Sequence, residues 1–161
     1  MLFDYNQIID DRLWVGALVH PEDVRQLRRM GITTVLCLQT PKDLKKHGVS
    51  PKKLDKALEE AALDYIQIPI TEFDRPDLVR HLPEAVAALE RALSPAWARV
   101  YLHCSAGVIR SATVAAAYLM KTQGLSSEEA AALLKSRREC EPDLEALVKF
   151  AAPPDQETTG R

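Results

Sequence analysis

The segment "VYLHCSAGVIRSATVAAAYLM", residues 100–120, restricts the possible folds of this chain more than any other stretch. It starts with apolar and β-prone residues, which predict a buried strand, and it continues into a run of small residues that predicts a helix. A loop of seven residues, from Cys104 to Arg110, connects the two. A strand that passes so directly into a helix is typical of folds in which helices cover a parallel sheet.

The same alternation of strand and helix patterns runs along the rest of the chain. Its order predicts an α/β fold with a mostly parallel central sheet flanked by helices on both faces. Strands are predicted at residues 12–16, 32–39, 64–70 and 99–103, and helices at 20–31, 50–63, 76–93, 110–124, 126–138 and 142–152. Ligands of such sheets bind beyond the carboxyl ends of the strands, where three predicted loops meet. These loops are residues 39–48, 71–77 and 104–110.

The composition is that of a globular domain. Of the 161 residues, 47% are hydrophobic and 27% are charged, so residues 1–152 are predicted to form one domain. Residues 153–161 are polar and contain two prolines, and we expect a disordered tail there. The two tryptophans, Trp14 and Trp97, lie in apolar contexts and are predicted to be core residues.

Charge and cysteine content limit the partners and the location. Lysine and arginine number 21 against 23 aspartate and glutamate, which predicts no nucleic-acid partner. No apolar run approaches the roughly 20 residues of a membrane span, so no membrane partner is expected. The three cysteines are odd in number and widely spaced, which favours a reducing compartment over a disulfide framework or a zinc site. With no basic signal segment at the start, we expect a cytoplasmic protein, and we expect a monomer.

The loop from Cys104 to Arg110 has the composition of an anion-binding site. Its small residues allow the backbone to curl, so that amide N–H groups point inward against the N-terminus of the following helix. Arg110 adds a planar guanidinium that can bind two oxygens of a phosphate. The predicted phosphate-binding residues are Ser105, Ala106, Gly107, Val108, Ile109 and Arg110.

Cys104 is the predicted nucleophile of this site. The electropositive loop and helix end favour a thiolate, and a thiolate inside a phosphate cradle is aimed at phosphorus. Ser111 can donate a hydrogen bond to Cys104 and help it to leave a cysteinyl-phosphate, and His103 can hold the loop through hydrogen bonds. A lone cysteine at the end of a buried strand is more commonly a core residue, but the whole set of residues favours catalysis.

The string "HCSAGVIRS" matches the HCxxGxxRS signature of the cysteine-dependent protein tyrosine and dual-specificity phosphatases. The resemblance extends over most of residues 5–150 and is greatest to the glucan phosphatase branch, with its plant starch-excess phosphatases and laforin. Matching stretches include "PEDVRQLRRMGITTVLCLQ" and "SRRECEPDLEAL". The resemblance implies the fold of that family, a phosphorylated substrate, hydrolysis through a phosphocysteine, and no metal or other cofactor.

The family supplies a general acid from a loop before the nucleophile, and three carboxylates are candidates here. Glu72, Asp74 and Asp77 lie 32, 30 and 27 residues before Cys104. Counted back from the "LP" pair of the next helix, the family's aspartate falls on Glu72. The shorter Asp74 side chain keeps the usual reach, so we favour Asp74 as the acid, with Glu72 as the alternative. Asp77 is predicted to start the following helix.

Aromatic side chains that stack on sugar rings line the site in the glucan branch. Phe73 matches one such position, and Tyr5 is predicted to match another. Lys46 stands where the plant enzymes carry an aromatic residue, and we expect it to line the substrate site and attract a second phosphate. Glu141 also replaces an aromatic residue. The sugar-binding surface is thus reduced, although the scaffold resembles that of the glucan branch.

Three functions remain open from the sequence. The first is removal of phosphate from glucans, and the second is removal of phosphate from phosphotyrosine and phosphoserine or phosphothreonine in proteins. The third is a phosphate-binding module without catalysis. The presence of both Cys104 and Arg110 argues against this third function.

Cys37 is predicted to lie late in a parallel strand, near the same sheet edge as Cys104. Two thiols at one edge can form a reversible disulfide that inactivates the enzyme on oxidation, so Cys37 is a candidate redox partner. A buried structural role is the alternative for Cys37. Cys140 is predicted to be structural.

Overall fold

Five strands and seven α-helices follow one another along residues 3–152, the part of the chain that the computed structural model describes. The strands are β1 (Tyr5–Ile9), β2 (Leu13–Gly16), β3 (Thr34–Cys37), β4 (Asp64–Gln67) and β5 (Val100–His103). The helices are α1 (Val24–Arg29), α2 (Pro41–Lys46), α3 (Pro51–Glu60), α4 (Arg75–Leu93), α5 (Arg110–Gln123), α6 (Ser127–Arg137) and α7 (Leu144–Ala151). None of these helices is both long and apolar enough to cross a membrane. The predicted disordered tail, residues 153–161, lies outside the described residues.

The strands form one sheet in the order β1-β2-β5-β3-β4. β1 runs antiparallel to β2 and the other neighbours are parallel, so the prediction of a mostly parallel sheet is confirmed. β5 lies in the middle, and the loops that follow β2, β3, β4 and β5 leave from the same edge. The sequence pattern does not predict β1, because only Ile8 of its five residues is fully buried. Pairing with β2 holds this edge strand in place.

Helices cover both faces of the sheet, and each face has its own apolar core. One core lies under α4–α7 and contains strand residues such as Leu36 and Leu102. The other lies under α1 and α3 and contains the intervening strand residues, such as Val35 and Tyr101. Successive strand residues point to opposite faces, which explains this division. Cys104 belongs to the first core.

The segment of residues 39–48, predicted to be a loop, instead contains helix α2. Thr40 caps the helix, since its hydroxyl accepts a hydrogen bond from the Asp43 amide and its own amide donates to the Asp43 carboxylate. Pro41 occupies the first helical position. This spacing is a helix-start signal, and the prediction of a loop was wrong because it followed polar composition alone.

The prediction for the two tryptophans is confirmed for one of them. Trp14, in β2, is buried in the core under α1 and α3. Trp97, between α4 and β5, is 72% exposed, so its prediction as a core residue is wrong. The Arg12 guanidinium donates to the carbonyls of Pro95 and Ala98 and anchors this connection through its backbone. The segment is therefore held in place without burial of the indole ring.

Candidate active site

The loop from Cys104 to Arg110 lies at the carboxyl edge of the sheet, in its centre. β5 ends at His103, and the 14-residue helix α5 begins at Arg110. Cys104 and Arg110 are only 2% and 3% exposed. The loop therefore lies over the N-terminus of a helix, whose backbone dipole favours a bound anion.

Every carbonyl oxygen of residues 104–109 accepts a hydrogen bond from a surrounding group. The donors, in order, are His103 Nδ1, Leu18 N, Arg138 Nη2, Arg138 Nε, Glu141 N and Thr113 N, at 2.8–3.2 Å. Among the hydrogen bonds of residues 3–152, none uses an amide of residues 105–109 as donor. With the carbonyls bonded to other groups, these amides are free to bind an anion, and phosphate binding by Ser105, Ala106, Gly107, Val108 and Ile109 stays a prediction.

Gly107 is required by the path of the loop. Its φ angle is +69°, a region that favours glycine. A Cβ atom there would lie 2.5 Å from the backbone of Gly16 and 2.7 Å from Arg138 Nη2. The loop thus packs directly on the end of β2, and no side chain fits between them.

Arg138 holds the outer side of the loop and is not among the predicted site residues. Its guanidinium donates to Gly107 O at 2.8 Å and to Ala106 O at 3.2 Å. It also donates to the Asp4 carboxylate at 3.0 Å and to Asn6. No local pattern predicts this role, because the partners lie more than 30 residues from Arg138 along the chain.

The Arg110 side chain is fixed at the bottom of the site by three groups. Nη1 donates to Asp43 Oδ2 at 2.7 Å and to Ile70 O at 2.8 Å, and Nη2 donates to Ser105 Oγ at 3.2 Å. Gln39 Nε2 donates to the same Ser105 oxygen at 3.1 Å. Asp43 and Gln39 are therefore site residues that the sequence reasoning misses. The capping spacing in α2 marks Asp43 as a helix-start residue and says nothing of its contact with Arg110.

Ser111 and His103 occupy the predicted positions around the thiol. Ser111 Oγ lies 3.3 Å from Cys104 Sγ. The fully buried His103 donates from Nδ1 to Cys104 O at 3.0 Å, which assigns the proton of that nitrogen, since a carbonyl only accepts. Burial lowers the pKa of His103, but the neighbouring Cys37 thiol and the Cys104 carbonyl favour its charged form, and the pKa is raised overall.

Cys37 and Cys104 do not face each other. Cys37 pairs in register with His103, whose ring centroid lies 5.7 Å from that of Tyr101 on the face covered by α1 and α3. Cys104 belongs to the core on the opposite face. Two cysteines whose side chains point apart cannot be bridged without backbone movement. The predicted disulfide therefore requires the end of β5 to rearrange, and it stays a prediction that mass spectrometry after mild peroxide treatment tests.

The three candidate acids occupy different settings. Glu72 lies 3.8 Å from Arg110 Nη2 and lines a cavity of about 210 Å³ together with Cys104. Asp74 caps α4, where its Oδ1 accepts the Asp77 amide at 3.0 Å. Asp77 is the third residue of α4 rather than its start, because Asp74 takes the capping position. The Asp77 carboxylate accepts the Thr71 amide at 2.7 Å and pairs with Arg80.

Of the three predicted substrate-lining residues, only Phe73 lies at the site cavity. It is 85% exposed, has a φ angle of +58°, and lines both the 210 Å³ cavity and an adjoining one of about 300 Å³. Tyr5 instead packs on Phe3 and Tyr101, with ring centroids 5.2 and 6.3 Å away. Lys46 is exposed at the last turn of α2. The aromatic surface predicted for sugar binding is therefore reduced to one ring.

A buried thiol in a backbone cradle, with a guanidinium beside it on a parallel α/β sheet, defines a class of phosphate-handling proteins. Residues 13–146 match the family model described as "Dual specificity phosphatase, catalytic domain". The chain belongs to this family. The predicted resemblance and fold are confirmed.

The chain is similar both to a phosphoglucan phosphatase and to a dual specificity protein phosphatase. The chain is 36% identical over 150 residues to "Phosphoglucan phosphatase DSP4, amyloplastic" of Castanea sativa, covering 92% of this chain and 40% of that protein. It is 38% identical over 144 residues to "Dual specificity protein phosphatase Mpk3" of Drosophila melanogaster, covering 89% and 31%. The chain thus spans less than half the length of these relatives.

Solved structures support the fold. Human DUSP28 superimposes with a TM-score of 0.69 at 25% identity, covering 93% of this chain and 94% of that one. Tk-PTP in its active form gives a TM-score of 0.75 at 23% identity, covering 93% and 95%. At this level of identity, the second comparison bears on the fold alone.

Proposed function

We propose that the protein hydrolyses phosphate monoesters through a phosphocysteine on Cys104. The observation that carries this proposal is the loop itself, in which the amides of residues 105–109 donate to no described group and Cys104 and Arg110 line one cavity. A phosphate dianion bound there is aligned for attack, because the amides and the guanidinium neutralise its charge. Without the thiol, the same cradle would only bind phosphate.

The reaction has two steps. In the first, the Cys104 sulfur forms a bond to phosphorus while the bond from phosphorus to the ester oxygen breaks, and that oxygen takes a proton from a general acid. In the second, a water molecule attacks the phosphocysteine, its proton returns to the acid, and the sulfur–phosphorus bond breaks. Ser111, 3.3 Å from the sulfur, donates a hydrogen bond to the departing thiolate.

Glu72 is the general acid in this proposal. The sequence favours Asp74, but its carboxylate accepts the Asp77 amide as the cap of α4. Glu72 is 28% exposed and lines the cavity that contains Cys104, where a leaving oxygen would lie. Asp74 is held at the start of α4 as its cap, so the longer side chain of Glu72, two residues earlier, takes the acid role.

Two substrate classes are supported by different observations. Similarity to the Castanea sativa protein and the exposed Phe73 ring at the cavity support a phosphorylated glucan as the substrate. Similarity to the Drosophila Mpk3 protein and the packing of the partly buried Tyr5 against the core support a phosphoprotein. Three free thiols are in keeping with the expected cytoplasmic or other reducing location.

Substitution of Cys104 by serine tests the reaction. The full chain is expected to release phosphate from p-nitrophenyl phosphate, and the Cys104→Ser variant is expected to release none while it keeps its thermal stability. Turnover that survives in the variant would rule out the phosphocysteine. Phosphate release from phosphorylated amylopectin and from a phosphotyrosine peptide, measured side by side, then decides between the two substrate classes.

A further inference from the structure

Asp43 reaches the active site from helix α2, far from Arg110 along the chain. Its Oδ2 accepts a hydrogen bond from Arg110 Nη1 at 2.7 Å, and the two side chains are 10% and 4% exposed. The reaction proposed above gives Asp43 no chemical step. A charged group that is so well buried beside the phosphate-binding arginine requires a physical explanation.

The hydrogen atoms of the Arg110 guanidinium supply that explanation. The group has five N–H bonds. The two on Nη1 go to Asp43 and to the Ile70 carbonyl, and one on Nη2 goes to Ser105. Nε and one hydrogen of Nη2 remain, and no hydrogen bond among residues 3–152 uses Nε of Arg110 as donor. Nε and Nη2 form one edge of the guanidinium, and this edge matches two oxygens of a phosphate.

The Asp43 carboxylate is itself held in one orientation. The oxygen that accepts from Arg110, Oδ2, also accepts the Thr40 amide at 3.0 Å, and the Asp43 amide donates to Thr40 Oγ1 at 3.1 Å. These bonds form the start of α2 and leave the carboxylate little freedom to rotate. Burial raises the pKa of Asp43, but the hydrogen bonds from Arg110 and Thr40 and the charge of Arg110 lower it overall, so the carboxylate is ionised when the site is folded at neutral pH.

We propose that Asp43 is a positioning residue that sets the rotation of the Arg110 guanidinium, so that its Nε and Nη2 edge faces the bound phosphate. The effect on catalysis rests on the proposed function, whereas the effect on oxyanion binding does not depend on turnover. Without the carboxylate, Arg110 keeps only the Ile70 carbonyl on Nη1, and its unpaired charge is free to turn towards other acceptors. Helix α2 and the phosphate site are thereby coupled through one ion pair.

Oxyanion binding in the Cys104→Ser background tests the proposal. Asp43→Asn removes the charge at nearly constant size, and we expect it to weaken tungstate binding about tenfold, a loss of about 1.4 kcal/mol. Thr40→Ala is the matched control, because it removes the helix-capping hydroxyl but leaves the Asp43 carboxylate in contact with Arg110. We expect this control to bind tungstate within about twofold of its parent, a change of less than 0.5 kcal/mol. Isothermal titration calorimetry measures both.

A second variant covers the case in which Asp43→Asn does not fold. Asp43→Ser keeps an oxygen acceptor for the Thr40 amide, so the cap of α2 is retained while the charge is lost. It is expected to show the same loss of tungstate affinity. With Cys104 intact, both Asp43 variants are also expected to raise KM for p-nitrophenyl phosphate.

The outcomes separate this proposal from the proposed function. If the Asp43 variants bind tungstate as tightly as their parent, and lose only as much thermal stability as Thr40→Ala, Asp43 is a helix cap and the positioning role is overturned. If the Asp43 variants lose affinity while the wild-type chain shows no turnover, the positioning role stands and the proposed function fails. If the wild-type chain turns over substrate and the Asp43 variants lose both tungstate affinity and turnover, the positioning role and the proposed function are both supported.

Discussion

The two loops at the mouth of the site differ in how firmly they are held. In the loop from Cys104 to Ile109, every carbonyl accepts a hydrogen bond, and four different residues supply donors from outside the loop besides the adjoining His103. In the loop at residues 71–74, Phe73 is 85% exposed and Asp74 is exposed at the helix end. One loop is rigid before any ligand binds, while the other presents side chains to solvent.

This difference separates two tasks of the site. Phosphate is the same in every substrate, so a fixed cradle can bind it with no reorganisation at the moment of reaction. The rest of the substrate varies, and the exposed Phe73 and the half-buried Glu72 are the residues of this loop that meet it. We therefore expect changes in the rigid loop to affect all substrates alike, and changes in the exposed loop to affect them unequally.

The largest effect is expected from Gly107→Ala. The new Cβ would overlap the Gly16 backbone, so the loop must shift, and a displacement of about 1 Å lowers kcat/KM by roughly hundredfold or more. Steady-state kinetics on p-nitrophenyl phosphate and thermal unfolding measure the loss. Gly124→Ala is the matched control, since Gly124 has a φ angle of +68° but open space around it. Its expected cost is only about 1–2 kcal/mol of stability, and equal losses in both variants would show that the close packing of the loop is unimportant.

The second largest effect is expected from substitution of the general acid in the exposed loop. Glu72→Gln is expected to lower kcat by roughly hundredfold on phenyl phosphate, whose leaving oxygen needs the proton. The loss should be smaller on p-nitrophenyl phosphate, which leaves more easily. Asp74→Asn is the control, because asparagine caps a helix as well as aspartate does. A loss of turnover in Asp74→Asn with full activity in Glu72→Gln would return the acid role to Asp74.

A smaller effect is expected from Arg138→Lys. The Arg138 guanidinium donates five hydrogen bonds from a planar fork, and a lysine has only three N–H donors on one atom, so we expect stability to fall by about 2 kcal/mol and KM to rise for every substrate. Arg137→Lys is the neighbouring control, with a side chain that is 43% exposed and an expected change below about 0.5 kcal/mol. Denaturant unfolding and kinetics on two unrelated substrates provide the measurement. An effect of Arg138→Lys on one substrate only would contradict the role of Arg138 as a support of the rigid loop.

The smallest effect should be the most selective. Phe73→Ala removes one exposed ring and is expected to lower kcat/KM about threefold for the physiological class of substrate, with little change for the other. Competition between phosphorylated amylopectin and a phosphotyrosine peptide reveals which class depends on the ring. Trp97→Ala, which removes an equally exposed ring at the amino end of β5, serves as the control. A uniform loss on all substrates would mean that Phe73 shapes the cradle rather than the substrate surface.

The cradle could be predicted from the sequence because its parts are neighbours along the chain. Spacing between Cys104, Gly107 and Arg110 is sufficient to predict a curled loop at a helix start, and Ser111 follows within one turn. The acid could not be assigned in this way. Glu72 and Asp74 differ by two positions, and only the structure shows that Asp74 is occupied as the cap of α4.

The sequence by itself determined the alternation of strands and helices apart from β1 and α2, the position of the thiol and the anion-binding loop, since each depends on local pattern and spacing. The tertiary structure alone decided that Asp43 meets Arg110 and that Arg138 supports the loop from outside. It also decided that the partly buried Tyr5 packs against a core and that Cys37 and Cys104 point to opposite faces. The physical reason is distance along the chain: which distant side chains meet depends on how the helices pack against the sheet, and no local pattern encodes that packing.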